Sequence, residues 1–381
     1  DTSPPRDSCQ GIIGDMHARQ SVDALAASMG KKLQTVPNDA SRRMFDVLGT
    51  CDVAWRHAVP ARVHRGFIDG LLNEARDVVF LGPIAYHRDT YVKTNHLMRS
   101  LQRAHTDEGL IKKLCSSERN PTNRSTLASF TPDSSGLADA VVYDRHATVT
   151  GRLTVTSGPR ILTLAKRHRG IITSRFEGGS IISIDFSSLE PRVALFSVGR
   201  DAPDDIYAHI METMGGSSIT RTHAKIMTIA MLYGASVTTV IGLTGLSKDA
   251  ATSALAQLAV MFDINTLHEK LLEHVRAGTF TNAFGRPIVA GDRRKLVNHY
   301  VQSTAVDVAL LGFANVVDTI SALGASDRII PLFVIHDALV LDVHPAVKQR
   351  IVDLVDACGV IKGFDRRFPA THKELKDDDA I

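Results

Sequence analysis

Asp185 and Asp337 each stand at the end of a short apolar run, in Ile181-Ile182-Ser183-Ile184-Asp185-Phe186 and in Leu332-Phe333-Val334-Ile335-His336-Asp337. Two strands that each deliver one carboxylate to a shared edge could hold two Mg²⁺ ions. Hard cations take oxygen ligands and keep part of their shell for substrate phosphates, so the chemistry such a pair suggests is phosphoryl transfer. Either Asp alone would read more simply as a strand-end cap or an ion-pair partner.

Between them lies Arg221-Thr222-His223-Ala224-Lys225-Ile226-Met227-Thr228-Ile229-Ala230-Met231-Leu232-Tyr233-Gly234. Arg221, Lys225, Ile229 and Tyr233 recur every fourth residue, so on a helix they share one slowly winding face. Two cations at the start of such a face suit a triphosphate; the plain alternative is a solvated basic face. In order and spacing, the three segments resemble motifs A, B and C of the family A DNA polymerases, the group of bacterial DNA polymerase I. Thr150-Gly151-Arg152-Leu153, Phe284-Gly285-Arg286 and Asn298-His299-Tyr300-Val301-Gln302-Ser303-Thr304-Ala305 extend the resemblance, which runs from about Tyr143 to the C-terminus.

The resemblance implies an α+β right-hand polymerase fold with an antiparallel palm sheet, helical fingers and a helical thumb. It implies a primer 3′-hydroxyl extended with dNTPs along template DNA, with two Mg²⁺ ions as cofactors and Mn²⁺ as a substitute. Asp185, Asp337 and Phe186 would lie at the metals. Arg221 and Lys225 would contact the β- and γ-phosphates. Glu190, Ile229, Tyr233 and Phe186 would form the nucleotide pocket, with Glu190 filling the space of a ribose 2′-hydroxyl. Arg152, Arg286, Asn298, Gln302 and His336 would touch DNA, Arg152 and Gln302 at minor-groove acceptors that every Watson–Crick pair presents in similar places. The chain departs from the family pattern at four positions: Ala338 for a second acid, Ile229 for Phe or Tyr, Pro191 for Leu and Ser303 for Gly.

The elements that must position these residues are legible in part. Residues 181–186 read as a buried strand, and Ser187-Ser188-Leu189-Glu190 as a capping box opening a helix, which gives Glu190 a structural reading as well. Residues 332–335 and 339–343 bracket His336-Asp337-Ala338 as a hairpin with Asp337 at its turn. Residues 201–290 read as mostly helical, the fingers; 141–200 and 291–381 as the two parts of the palm; 1–140 as an N-terminal region including the thumb. Within that region, 61–80 and 96–115 have amphipathic helical spacing, and 116–136 reads as a polar linker.

Composition agrees with a soluble globular protein of two or three subdomains: 381 residues, 44% hydrophobic, 22% charged and a net charge of +3. From Arg145 through Phe176 there is no acidic residue, against Arg145, Arg152, Arg160, Lys166, Arg167, Arg169 and Arg175. Such a stripe fits a phosphate backbone or, more blandly, a solvated face. The four cysteines have no metal-binding spacing, so a reducing compartment is expected. The apolar stretches read as too short or too interrupted to span a bilayer, and the first residues read as lacking the basic-then-apolar order of a secretory signal. Residues 1–140 look too short for a proofreading exonuclease and carry no Asp-x-Glu signature, so the chain reads as lacking proofreading, and whether a separate exonuclease or processivity factor joins it is left open. Short length and divergent motifs suggest a phage or mobile-element enzyme in a bacterial cytoplasm, with an organellar setting left open. Two rivals stand beside this reading. A single-subunit RNA polymerase would lack Glu190, and Ala338 is the one support for a catalytically dead nucleic-acid-binding relative.

Overall fold

The computed structural model describes residues 85–214 and 219–375, with isolated positions between 61 and 69. The helix expected at 61–80 therefore lies almost wholly outside the described residues. The helix expected at 96–115 is two helices. Helix α1 (Ala85–Ser100) ends before a short strand β1 (His105–Thr106), and α2 (Glu108–Ser117) starts afresh where the Asp107 carboxylate accepts from the Leu110 amide at 2.9 Å. An acidic N-cap restarts a helix even where apolar spacing runs on. The expected linker at 116–136 also folds: Asn120 caps α3 (Pro121–Ala128) with Pro121 at its first position, and Leu127 and Phe130 are fully buried. Strands β2 (Val142–Asp144) and β3 (Thr154–Ser157) then pair antiparallel, and β4 (Ile172–Thr173) pairs with β1. Strand β5 (Ser180–Phe186) carries the first carboxylate.

After β5 the chain is helical, as the sequence indicates: α4 (Leu189–Ser197), α5 (Ile206–Thr213), α6 (Arg221–Leu232), α7 (Val237–Thr244), α8 (Lys248–Met261) and α9 (Ile264–Arg276). Asp205, Thr220, Ser236 and Ser247 cap α5 to α8, each side chain accepting from an amide two or three residues inside the helix. Four orphan donors are thereby satisfied where polar residues interrupt the apolar pattern.

Helix α10 (Leu296–Ala322) is apolar nearly all round and runs through the centre of the core. Against the sequence reading, it is long and apolar enough to cross a bilayer, but 67% of its most apolar stretch is buried in the protein, as in a core helix. Strands β6 (Ile329–Ile335) and β7 (Ala338–Val343), helix α11 (Ile351–Cys358) and β8 (Ala370–Glu374) complete the chain. The sheet order is β6-β7-β5-β8, antiparallel throughout. Alternation assigns its two faces. Ile182, Ile184, Phe186, Leu339 and Leu341 join the cluster around α10, while Ile181, Val340, Leu332 and Ile335 join a second cluster with Ile111, Leu127, Phe130 and Ile161. Burial on both faces explains the near-continuous apolar runs in β5 and β6.

Candidate active site

Pairing of β5 with β7 sets Asp185 directly opposite Ala338, and the next residue back, Asp337, belongs to the two-residue loop His336-Asp337 joining β6 to β7. The Phe186 amide donates to the Asp337 carbonyl at 3.2 Å, fixing the loop to the end of β5. Both carboxylates thus stand at one end of neighbouring strands, as the hairpin reading expected. His336 takes φ 55°, an uncommon conformation for a residue with a Cβ but the one tight hairpin loops favour. Burial is the main cause of the lowered His336 pKa, with Arg152 adding to it. The Phe186 ring lies in the core against Phe313, with centroids 5.7 Å apart, so Phe186 offers the site its main chain only.

Asp185 is the electrostatically unfinished group. Burial, and then the Asp337 charge, push its carboxyl up to about 6, while Lys373, Lys166 and Lys225 pull the other way. Its Oδ1 is buried without a hydrogen-bond partner. Buried carboxylate oxygens are ordinarily satisfied, so an orphaned one beside a second acid fits a hard cation. Among the described residues no group of three or more His, Cys, Asp or Glu gathers, so such a cation would draw on two carboxylates and complete its shell from elsewhere.

One hydrogen-bonded network joins four segments behind this edge. Glu190 Oε1 accepts from Arg152 Nη2 at 2.9 Å and from the Tyr233 hydroxyl at 3.1 Å. The Gln302 amide donates to the same hydroxyl at 3.1 Å, and Thr150 donates to the Gln302 carbonyl oxygen at 2.5 Å. Desolvation raises the Glu190 pKa, and Arg152 opposes it. The capping box is overturned. Ser188 is the N-cap in a left-handed conformation, φ 54°, without a side-chain cap bond, so Glu190 falls one position early and turns to Arg152 and Tyr233 instead. Pro191 sits in the first turn of α4, where its missing N–H costs little.

Helix α6 carries the predicted face. Tyr233 ends it, and Gly234 at φ 67° closes it, with the Ala235 amide donating to the Ala230 carbonyl and the Gly234 amide to that of Met231. Ile229 is half-buried one turn before Tyr233. Lys225 is exposed, and its charge is felt by Asp185. Arg221 is the first helical residue and pairs with Asp205 at 2.6 Å, its guanidinium 5.5 Å from the centre of the Tyr207 ring.

The sequence profile of DNA polymerase family A matches residues 89–360, more than half of the chain. The chain belongs to DNA polymerase family A. Its fold is similar to that of the POL domain of Pol1 from M. smegmatis, solved in complex with DNA primer-template and dNTP. The TM-score is 0.56 at 16% sequence identity, covering 95% of this chain and 64% of that one. This chain therefore spans somewhat under two thirds of that structure's length. No curated protein sequence matches the chain.

Within this family A fold the remaining expectations divide. Arg152 and Gln302 reach the network at Glu190 and Tyr233. Asn298 is half-buried near the start of α10, its Oδ1 buried without a partner. Arg286 is not at a DNA-facing surface: it is 7% exposed, 3.6 Å from Asp307 and against the Thr150 carbonyl. Gly151, at φ 73°, leaves it room, since a Cβ there would overlap the guanidinium. Part of the basic stripe is spent on partners within the protein, while Arg152, Arg160, Lys166 and Arg167 stay exposed. Arg145 is buried against Asp307, Arg167 pairs with Glu118 and Arg175 with Asp342, all partners distant in sequence. Sequence reasoning missed Asp307, Asp205 and Tyr207. Burial, with the nearby Glu190 charge, raises the Tyr207 pKa. Its only signal was its place two residues after a helix cap.

Proposed function

We propose that this chain is a template-directed DNA polymerase that extends a primer 3′-hydroxyl with dNTPs. The observation that carries the reading is the paired Asp185 and Asp337, one oxygen of Asp185 left without a donor, with Lys225 of α6 acting on Asp185. Family membership supports it. Strand β5 and helix α4, with the β6–β7 hairpin, α10 and α11, would be the palm; α5 to α9 the fingers; the thumb would fall within residues 1–140, a placement resting on order along the chain.

Asp185 and Asp337, with the Phe186 main chain, are the residues that would hold two Mg²⁺ ions, or Mn²⁺ in their place. When bound, such ions lower the pKa of the attacking hydroxyl and offset charge on the phosphates. Lys225 and Arg221 take charge that develops on the pyrophosphate leaving group. Glu190, held by Arg152 and Tyr233, stands where a 2′-hydroxyl would need room. Tyr233 caps the helix beside the templating base. Gln302 and Arg152 test the shape of the terminal pair, and His336 meets the primer end. Ala338 lies directly across from Asp185, so a further acid there would press on a carboxyl already raised by its neighbour. Its loss leaves the two-acid site intact.

Primer extension on one template with dNTPs or NTPs tests the reading. Efficient dNTP use is expected, with NTP use rising relative to dNTP use in Glu190→Ala. An unchanged ratio would remove the gate from Glu190, and preference for NTPs in the parent chain would favour an RNA polymerase. The same protein, given a 3′-mismatched primer and Mg²⁺ without nucleotides, is expected not to shorten it.

A further inference from the structure

Arg221 begins α6, where the helix dipole is positive and a cation is disfavoured. It is nevertheless held there. Its Nη1 donates to both oxygens of Asp205, at 2.8 and 2.6 Å, and its guanidinium rests on the Tyr207 ring. Asp205 is the N-cap of α5, and its Oδ1 also accepts from the Ala208 amide at 3.0 Å. The cap fixes where the carboxylate stands, and Oδ2, free of the cap, makes the shorter bond to the arginine. Tyr207, two residues on, is buried. The N-terminus of α5, with its cap, therefore supplies both the anion and the ring that hold Arg221 at the start of α6.

We infer that Asp205 is a built-in competitor for Arg221, a carboxylate that occupies the guanidinium until the triphosphate of an incoming nucleotide displaces it. This rests on the reading of Arg221 as a triphosphate contact. Side chains of both partners are open to water, 59% for Arg221 and 47% for Asp205, and exposed pairs of this kind are weak enough to be exchanged. A triphosphate brings more charge than one carboxylate and can engage Lys225 one turn along the same face. When Arg221 leaves, Asp205 keeps its amide partner at the α5 terminus, so the exchange leaves no donor of the cap unsatisfied.

Titration of inorganic tripolyphosphate into the full chain by calorimetry, in Mg²⁺-free buffer, tests the inference. Asn and Ser both cap helices, so Asp205→Asn and Asp205→Ser remove the charge and keep α5. Each is expected to tighten tripolyphosphate binding about two- to fivefold, the size of an exposed pair. Arg221→Ala is expected to weaken binding and to erase the gain from either substitution at 205. No tightening in both Asp205 variants would overturn the inference, as would an equal gain in the Arg221→Ala background, which would mark general charge removal. Wild-type affinity in Arg221→Ala, or no binding in any variant, would instead sink the triphosphate reading of Arg221 and the inference with it.

Discussion

Asp307 is fully buried and Asp185 half-buried, yet Asp307 is surrounded by donors while Asp185 has a buried oxygen with none. Asp307, at 0% exposure, takes Asn282 Nδ2 at 2.7 Å and Arg145 Nη2 at 3.2 Å, with Arg286 at 3.6 Å. It ties the turn at Asn282 and the Arg145 segment to α10, and Arg145 also donates to Thr94 of α1. Asp185 has Asp337 as a neighbour and an orphaned Oδ1. A buried carboxylate whose charge is matched within the protein holds elements together. One whose charge is left unmatched is held ready for something that arrives.

The largest expected effects come from exchanging these fates by substitution. Asp307→Ala leaves Arg145 and Arg286 buried without their anion and should cost about 3–5 kcal/mol of stability by urea unfolding. Asp185→Ala, and likewise Asp337→Ala, should unfold at or above the parent urea midpoint while giving no detectable primer extension, with primer-template binding largely kept. If Asp185→Ala extended primers at near the parent rate, the site would lie elsewhere. Were Asp307→Ala as stable as the parent, the buried cluster would hold nothing together.

A smaller effect separates the two by pH. The folded-state pKa of Asp185, about 6, lies above the ordinary carboxyl value, so the native state binds the extra proton between the two. The stability this confers is fully present below about pH 4 and is lost as pH rises through 6. Discounted for partial exposure, the loss should amount to about 1–2 kcal/mol in Mg²⁺-free buffer. Asp185→Asn should flatten that part of the urea-midpoint profile. Saturating Mg²⁺ should reverse its sign by favouring the ionised pair. A wild-type profile parallel to that of Asp185→Asn, with and without Mg²⁺, would show that this carboxyl is not waiting for a cation.

Sequence carried what depends on neighbours in the chain. The strand of Asp185, the hairpin of Asp337 and the helix with Arg221 to Tyr233 are all local patterns, and their boundaries hold within three residues, the largest miss being the start of β6 at Ile329. It failed where one residue's backbone changed the register, as with Ser188, whose left-handed conformation moved the cap and freed Glu190. It failed again where partners are far apart. Nothing around Arg145 says that its counter-ion lies 162 positions away. The basic stripe therefore looked like one continuous surface for phosphates, although Arg145 is buried and Arg167 and Arg175 are paired with distant carboxylates. Asn120, Leu127 and Phe130 were individually visible, but only packing against β6 and β7 made 116–136 an ordered part of the core.

The smallest expected effect concerns Ile229, which separates Lys225 from Tyr233 on α6 and is half-buried. An aromatic ring there would stack on an incoming nucleotide, and base–aromatic stacking is worth about 1–3 kcal/mol. Isoleucine already supplies apolar contact, so the net gain from Ile229→Phe should fall at the low end, with the apparent KM for dNTPs lowered about two- to fivefold and kcat little changed. Because the arriving partner, rather than the protein, would complete this pocket, the substitution should leave the urea midpoint close to that of the parent, in contrast to any change at Asp307. A raised KM with normal folding would mean that the pocket has been shaped around the branched aliphatic. A lowered urea midpoint would place Ile229 with the interior of the helical segment, and the nucleotide-facing surface of α6 would then end at Lys225.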